Sequence, residues 1–206
     1  MENTDKTLIE AHCRGDKTAF GELVRRYGDN ILGYLMRMSV NHHQAEDLFQ
    51  ETFKRVHEKA HTFRGGKFKS WLFTIATNVA IDGMRRRRRM QVVSLNQRLD
   101  CTDQDSEELS AVALADDSCE PSQEAAKAEQ AELVRDAIES LPARQRATLV
   151  LAYYQQLSYP EVAKVLGCSL GTVKTQMYRA LRTLMRRLPD ISGRDKMNLD
   201  FPNKVM

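Results

Sequence analysis

The sequence predicts an all-α protein built as two small helical domains joined by a flexible acidic linker. Apolar residues recur at helical spacing in window after window, and no convincing period-two alternation of a strand is present. The charge also falls into blocks. The formal net charge of +3 is the sum of +7 over residues 1–98, −9 over residues 99–126 and +5 over residues 127–206. At 206 residues and 42% hydrophobic the chain can fill the cores of one ordinary domain or two small ones. Two basic blocks around an acidic one point to a polyanionic partner for the ends.

Three helical patterns fill the first half. In AFGELVRRYGDNILGYLMRM, residues Phe20, Leu23, Val24, Tyr27, Ile31 and Leu35 share one stripe. In QAEDLFQETFKRVHEKA the stripe is Ala45, Leu48, Phe49, Thr52, Val56 and Ala60, with Glu46, Asp47, Gln50, Glu51 and Lys54 on the polar side. That side is an acidic patch in an otherwise basic domain, which repels DNA and attracts a basic protein helix. A TFRGGKF loop follows, and a third helix places Phe68, Leu72, Ile75 and Val79 on its buried side before ending in MRRRRRM.

Trp71, Asn78, Asp82 and Arg85 fall within one quadrant of the helical wheel, and the arginines continue through Arg86, Arg87, Arg88 and Arg89. An aromatic, an amide and a cation run beside a Gly-Gly loop suit a strand with unstacked bases. Arginines track its backbone while polar groups read an exposed base edge. A core role for Trp71 and a nonspecific role for the arginines are equally compatible with the spacing.

Residues 91–126 are dominated by polar, acidic and small residues, as expected of a tether. The boundaries predicted are 1–90 for the first domain, 91–126 for the linker, 127–190 for the second domain and 191–206 for a tail.

The second domain holds the most specific local pattern. A helix runs to Tyr154, a short one spans 159–166, a turn follows at Gly167-Cys168-Ser169, and a longer helix runs from Leu170 to about Leu188. Ser158 with Glu161 forms a capping-box pattern, Pro160 is tolerated in a first turn, and Gly167 suits a left-handed C-cap. Short helix, tight turn and long helix make a helix-turn-helix. Val173, Met177, Leu181, Leu184 and Leu188 face inward on the long helix, so Lys174, Thr175, Tyr178, Arg179 and Arg182 face out. Cations for phosphates or guanine edges, mixed with smaller polar groups, suit a helix entering the major groove.

Other function classes are narrowed by what the chain contains. No apolar run approaches the roughly 20 residues that span a bilayer, and the N-terminal MENTDKTLIE has no signal-peptide core, so a cytoplasmic protein without membrane insertion is expected. Cys13, Cys101, Cys119 and Cys168 are scattered without a C-x-x-C pair, which suggests free thiols in a reducing compartment. His57-Glu58-x-x-His61 matches the pattern of zinc proteases. The extended form needs Gly at 64 and His at 67, where Arg64 and Lys67 stand, and Asp82 is the one acid between residues 62 and 98. No metal, cofactor or catalysis is therefore expected, and the histidines read as polar positions near a helix end.

Taken in order and spacing, AFGELVRRYGDNILGYL, AEDLFQETFKRV, FRGGKFKSWLFTIATNVAIDGMRRRRR and the helix-turn-helix resemble an extracytoplasmic-function sigma factor of bacteria. The resemblance covers about residues 5–188 apart from the tether. It implies a subunit with no catalysis of its own that binds core RNA polymerase, through the β′ coiled coil and the β flap, and directs it to promoter DNA. An anti-sigma factor is a further partner it allows.

Carried onto this chain, the resemblance makes Glu46, Asp47, Gln50 and Glu51 the core-polymerase surface. Arg64, Lys67, Trp71, Asn78, Asp82, Arg85, Arg86, Arg87 and Arg88 become the minus-ten set. Ser169, Thr172, Lys174, Thr175, Tyr178, Arg179 and Arg182 become the minus-thirty-five set. The acidic linker would lie in a positively charged polymerase channel. Two positions depart from the pattern: Gln176 stands where many relatives have arginine, and Leu181 where another basic residue is common. Two other classes share some of these sequence features. A response-regulator type of DNA-binding protein shares the helix-turn-helix but has no need of a Trp/Asn/Arg helix, and a metalloprotease shares the two histidines.

Overall fold

The computed structural model describes residues 4–97 and 121–188, with side chains for 4–90 and 129–188. The described residues form helices and no strand: α1 (Asp5–Cys13), α2 (Lys17–Met38), α3 (His42–Lys59), a 3-10 turn (Ala60–Thr62), α4 (Phe68–Gln97), α5 (Pro121–Glu139), α6 (Ala143–Leu149), a π-helical turn (Val150–Tyr154), α7 (Tyr159–Leu166) and α8 (Leu170–Arg187). Residues 98–120 and 189–206 lie outside the described residues, and with them Cys101, Cys119, most of the acidic segment and the tail.

Helix starts are fixed by side chains that satisfy the first free N–H groups. Asp16 Oδ1 accepts from the Thr18 amide at 2.8 Å, Asn41 Oδ1 from that of Gln44 at 2.9 Å, and Ser169 Oγ from that of Thr172 at 3.1 Å. The capping box expected at Ser158 is present, with the Ser158 amide and hydroxyl both donating to Glu161 Oε2, at 2.9 and 2.6 Å. Gly167 ends α7 at φ +61°, a left-handed conformation that a side chain would strain.

Helix α1 is an element the sequence pattern does not announce. Its nine residues bury only Leu8 and Ile9, too few to stand out as a stripe. Burial of each contributes about 1.5–3 kcal/mol, and polar anchors add to it. Tyr27 Oη donates to Asp5 Oδ2 at 2.5 Å, and Arg26 lies 3.3 Å from the other oxygen.

The first domain packs α2, α3 and α4 around Ile31, Tyr34, Leu35, Val56, Leu72, Phe73 and Ala76, all fully or almost fully buried. Helices α3 and α4 approach closely at Gly83, where an added Cβ would come 3.0 Å from Leu48 Cδ2. In the second domain α5, α6 and α8 enclose Ile138, Leu141, Leu149, Met177 and Ala180.

The two domains share a core. Val150, Leu151, Val162, Val165 and Val173 join the apolar cluster of the first domain, and α7 packs against α4. Polar contacts cross the same seam. Arg146, only 6% exposed, donates to the Met38 carbonyl at 3.4 Å and to that of Glu139. Lys69 Nζ donates to the Gln155 carbonyl at 2.9 Å, and the Arg37 guanidinium lies 4.1 Å from the Tyr154 ring centroid.

Candidate nucleic-acid interface

Helix α8 presents a continuous polar and cationic face. Ser169, Thr172, Lys174, Thr175, Tyr178, Arg179 and Arg182 are all exposed, Tyr178 at 64%, while Val173, Met177 and Ala180 are buried beneath them. Among the described residues no carboxylate comes within 4.0 Å of Lys174, Arg179 or Arg182. Three hydroxyls are committed locally: Thr175 Oγ1 donates to the Gly171 carbonyl at 3.0 Å, and Ser169 Oγ lies 2.9 Å from Thr172 Oγ1. Leu181, one of the two departures noted above, packs into the apolar cluster of α5, α6 and α8. A basic residue there would have to leave the core side of the helix.

The first domain carries a second basic surface. Gly65 and Gly66 sit at φ +96° and +93°, with open space where a Cβ would stand, so the loop between the 3-10 turn and α4 offers bare backbone. Arg64, Lys67, Asn78, Asp82, Arg85, Arg86 and Arg88 are exposed, and Arg87 is half-buried. Arg85 lies 3.8 Å from Asp82, and Arg87 donates to Gln44 Oε1 at 3.3 Å.

Trp71 is half-buried in an aromatic cluster, its ring centroid 5.4 Å from that of Phe63 and 5.6 Å from that of Phe68. The sequence pattern omits Phe63, because a lone aromatic in a Gly-rich loop has no periodicity to betray it. Lys67 is not free. Its ammonium lies 2.7 Å from Glu161 Oε1, across the seam between the domains.

On α3 the polar side is acidic. Glu46, Asp47 and Gln50 are exposed and Glu51 is half-buried. Glu51 accepts from Arg55 Nε at 2.7 Å, while His42 and His43 approach Glu46 and Asp47 at 3.3 and 4.0 Å. His57, from the zinc-protease pattern, turns its ring towards Phe20 and His12, with centroids 5.7 and 4.9 Å away. Among the described residues no three His, Cys, Asp or Glu side chains converge as metal ligands. Also among them, no helix is long and apolar enough to cross a membrane, and Cys13 and Cys168 are free thiols.

Comparison with known proteins matches these surfaces to a family. Residues 23–90 match the Sigma-70 region 2 model and residues 131–184 the Sigma-70, region 4 model. The chain is 32% identical over 193 residues to the ECF RNA polymerase sigma factor SigW of Bacillus subtilis, covering 93% of this chain and 100% of that one. It is 34% identical to the ECF RNA polymerase sigma factor SigE of Mycolicibacterium smegmatis, over 89% of this chain and 67% of that one. To the RNA polymerase sigma-H factor of Pseudomonas aeruginosa it is 32% identical, over 91% and 95%.

Solved structures agree on the fold. CnrH, in complex with the cytosolic domain of CnrY, superposes with a TM-score of 0.63 at 24% identity, covering 90% of this chain and 97% of that one. The sigma factor RpoE of Bartonella quintana, in complex with the anti-sigma factor NepR, gives 0.63 at 27% identity, over 83% and 97%. With both sigma-70 regions in place and relatives aligned over nearly the whole length, this chain belongs to the extracytoplasmic-function RNA polymerase sigma factors, which direct promoter-specific transcription initiation.

Proposed function

We propose that the work of initiation is divided among three surfaces of this chain. The exposed face of α8 reads the minus-thirty-five element in the major groove. Lys174, Arg179 and Arg182 hold phosphates or guanine edges, and Ser169, Thr172, Thr175 and Tyr178 adjust to neighbouring groups. The observation that carries this reading is that the three cations have no carboxylate partner within 4.0 Å among the described residues.

The glycine loop and the exposed side of α4 take the minus-ten element. A base flipped from the stack meets bare backbone at Gly65 and Gly66, with Asn78 as a reader of its edge and Trp71 as the wall of the loop. Arg64 and Lys67 flank the loop, and Arg85, Arg86, Arg87 and Arg88 follow the strand's phosphates, with Asp82 orienting Arg85. On α3, Glu46, Asp47, Gln50 and Glu51 dock on a basic helix of core polymerase, the β′ coiled coil, while the second domain meets the β flap.

The chain acts as a cytoplasmic binding subunit without catalysis of its own. CnrH and RpoE are each seen with a partner, the cytosolic domain of CnrY and the anti-sigma factor NepR, and an anti-sigma protein is the corresponding partner here. Mixing the purified chain with bacterial core polymerase and a promoter library tests the reading. Specific transcripts that depend on the chain are expected, and absence of binding to core would reject it.

A further inference from the structure

Three polar side chains on the outward face of α8 have hydroxyls already engaged within the helix. Ser169 Oγ accepts from the Thr172 amide at 3.1 Å and lies 2.9 Å from Thr172 Oγ1, so this pair belongs to the N-cap. Thr175 Oγ1 donates to the Gly171 carbonyl at 3.0 Å, one turn back on the same helix. Thr175 is exposed, and of the two heavy atoms on its Cβ the hydroxyl oxygen is the one turned to the backbone. What it offers a partner is the other, a methyl held by the stiff χ1 of a β-branched residue.

The turn over which that methyl lies is bare. A helical side chain leans towards the N-terminus, so Thr175 covers the surface of the turn that holds Gly171. Gly171 is exposed and its backbone is not left-handed. Beyond the helix's own backbone, a Cβ added there would meet nothing closer than Ser169 Oγ at 3.8 Å. Neither strain nor packing calls for glycine at this position, and glycine weakens a helix relative to alanine. Its effect is outward: without a side chain at 171, an apolar group can come close to Thr175 Cγ2.

Among the groups that base pairs expose in the major groove one is apolar, the C5-methyl of thymine. We propose that Thr175 is a specificity-determining residue that reads a thymine of the upstream element by methyl-to-methyl contact, and that Gly171 keeps the approach to it open. This rests on the assignment of α8 to that element and narrows what the face selects. Adenine, guanine and cytosine lack the methyl and are not read at this position.

Holoenzyme reconstituted from the full chain and bacterial core polymerase tests this on promoter duplexes randomised over the upstream element. Thymine should be enriched there. Replacing each enriched thymine in turn by deoxyuridine deletes only its C5-methyl, and one of these changes should weaken binding about fourfold, the effect of losing one buried methyl-sized group. Thr175→Val, which keeps the methyl and drops the hydroxyl, should retain that penalty. Thr175→Ser, which keeps the hydroxyl and drops the methyl, should bind the thymine and uracil duplexes equally. Gly171→Ala should melt about 1–4 °C higher than the parent and yet lose most of the penalty, a combination that a purely structural glycine does not give. Methyl reading is overturned if the parent tolerates uracil at every position, or if Thr175→Ser retains the penalty while Thr175→Val loses it. A full penalty in Gly171→Ala overturns the part given to the glycine. The assignment of α8 fails by a different result, unchanged affinity for the enriched duplex in Lys174→Ala with Arg179→Ala.

Discussion

The hydroxyls of Tyr34 and Thr77 lie 2.9 Å apart with both side chains buried, tying α2 to α4 through a hydrogen bond inside an apolar core. Tyr34 also meets Phe73 edge-on, ring centroids 5.4 Å apart. Replacing Thr77 by Val keeps the shape and strands the Tyr34 hydroxyl away from water, which costs about 1–3 kcal/mol. Removing both hydroxyls in Tyr34→Phe/Thr77→Val should restore most of that loss, because no polar group is then left unpaired. Thermal melts followed by circular dichroism of the two variants and the parent measure it. A double variant no more stable than Thr77→Val would show that the hydroxyl pair is not the cause.

How the sequence relates to these surfaces follows from periodicity. Leu23, Ile31 and Leu35 on α2 and Leu72 and Val79 on α4 are legible because long amphipathic helices repeat their stripe several times. The helix-turn-helix is legible from its caps, since Ser158, Glu161, Gly167 and Ser169 each mark a terminus chemically. Helix α1 escapes because two buried residues make no pattern.

The seam between the domains escapes for a different reason. Arg146 and Lys69 read as ordinary surface cations in helical windows. Their partners are the Met38 and Gln155 carbonyls, more than 80 residues away in sequence, and a backbone carbonyl leaves no mark in composition. The exposed face of α8 was predictable once its buried side was known. The pairing of Lys67 with Glu161 was not, because it depends on how two separately legible units pack.

Assignment of α8 to the upstream element makes a quantitative prediction. Lys174→Ala with Arg179→Ala removes two cations that lack a carboxylate partner within 4.0 Å among the described residues. Holoenzyme carrying the variant should bind promoter DNA more weakly, and its plot of log affinity against log salt should be shallower by about 2. Affinity for core polymerase in the absence of DNA should not change. Filter binding across a salt series and a core pull-down measure the two quantities. Equal loss of both would count against the assignment.

The acidic side of α3 makes the opposite prediction. Asp47→Lys with Glu51→Lys reverses charge on an exposed face and also frees Arg55, whose Nε donates to Glu51. The patch then repels a basic helix instead of attracting it, a change that like-charge contact makes worth several kcal/mol at an interface. Core polymerase should be released, by 100-fold or more in affinity at low salt, while the helical circular dichroism spectrum stays that of the parent. Titration of labelled core with the variant decides it, and unchanged affinity would remove the patch from the polymerase interface.

His12 gives the fold a pH dependence whose direction is fixed by its surroundings. Its ring stacks on Phe20 with centroids 4.7 Å apart, faces His57 at 4.9 Å, and keeps a buried Nδ1 with no hydrogen-bond partner among the described residues. Burial first, and then the neighbouring His57, lower its pKa below the usual 6.5, while the nearby Asp16 opposes them in part. The unfolded chain therefore takes up the proton before the folded one does. Stability is fully present above about pH 6.5 and is lost as pH falls from there through the folded-state pKa. The apparent melting midpoint should drop between pH 7.5 and 5.5, and His12→Gln, which cannot titrate, should drop by about 1–3 °C less. Since the pair joins α1 to α3, hydrogen exchange in α1 should quicken over the same pH interval once corrected for the intrinsic rate. Identical pH profiles for the parent and His12→Gln would show that this histidine binds its proton equally in the folded and unfolded states.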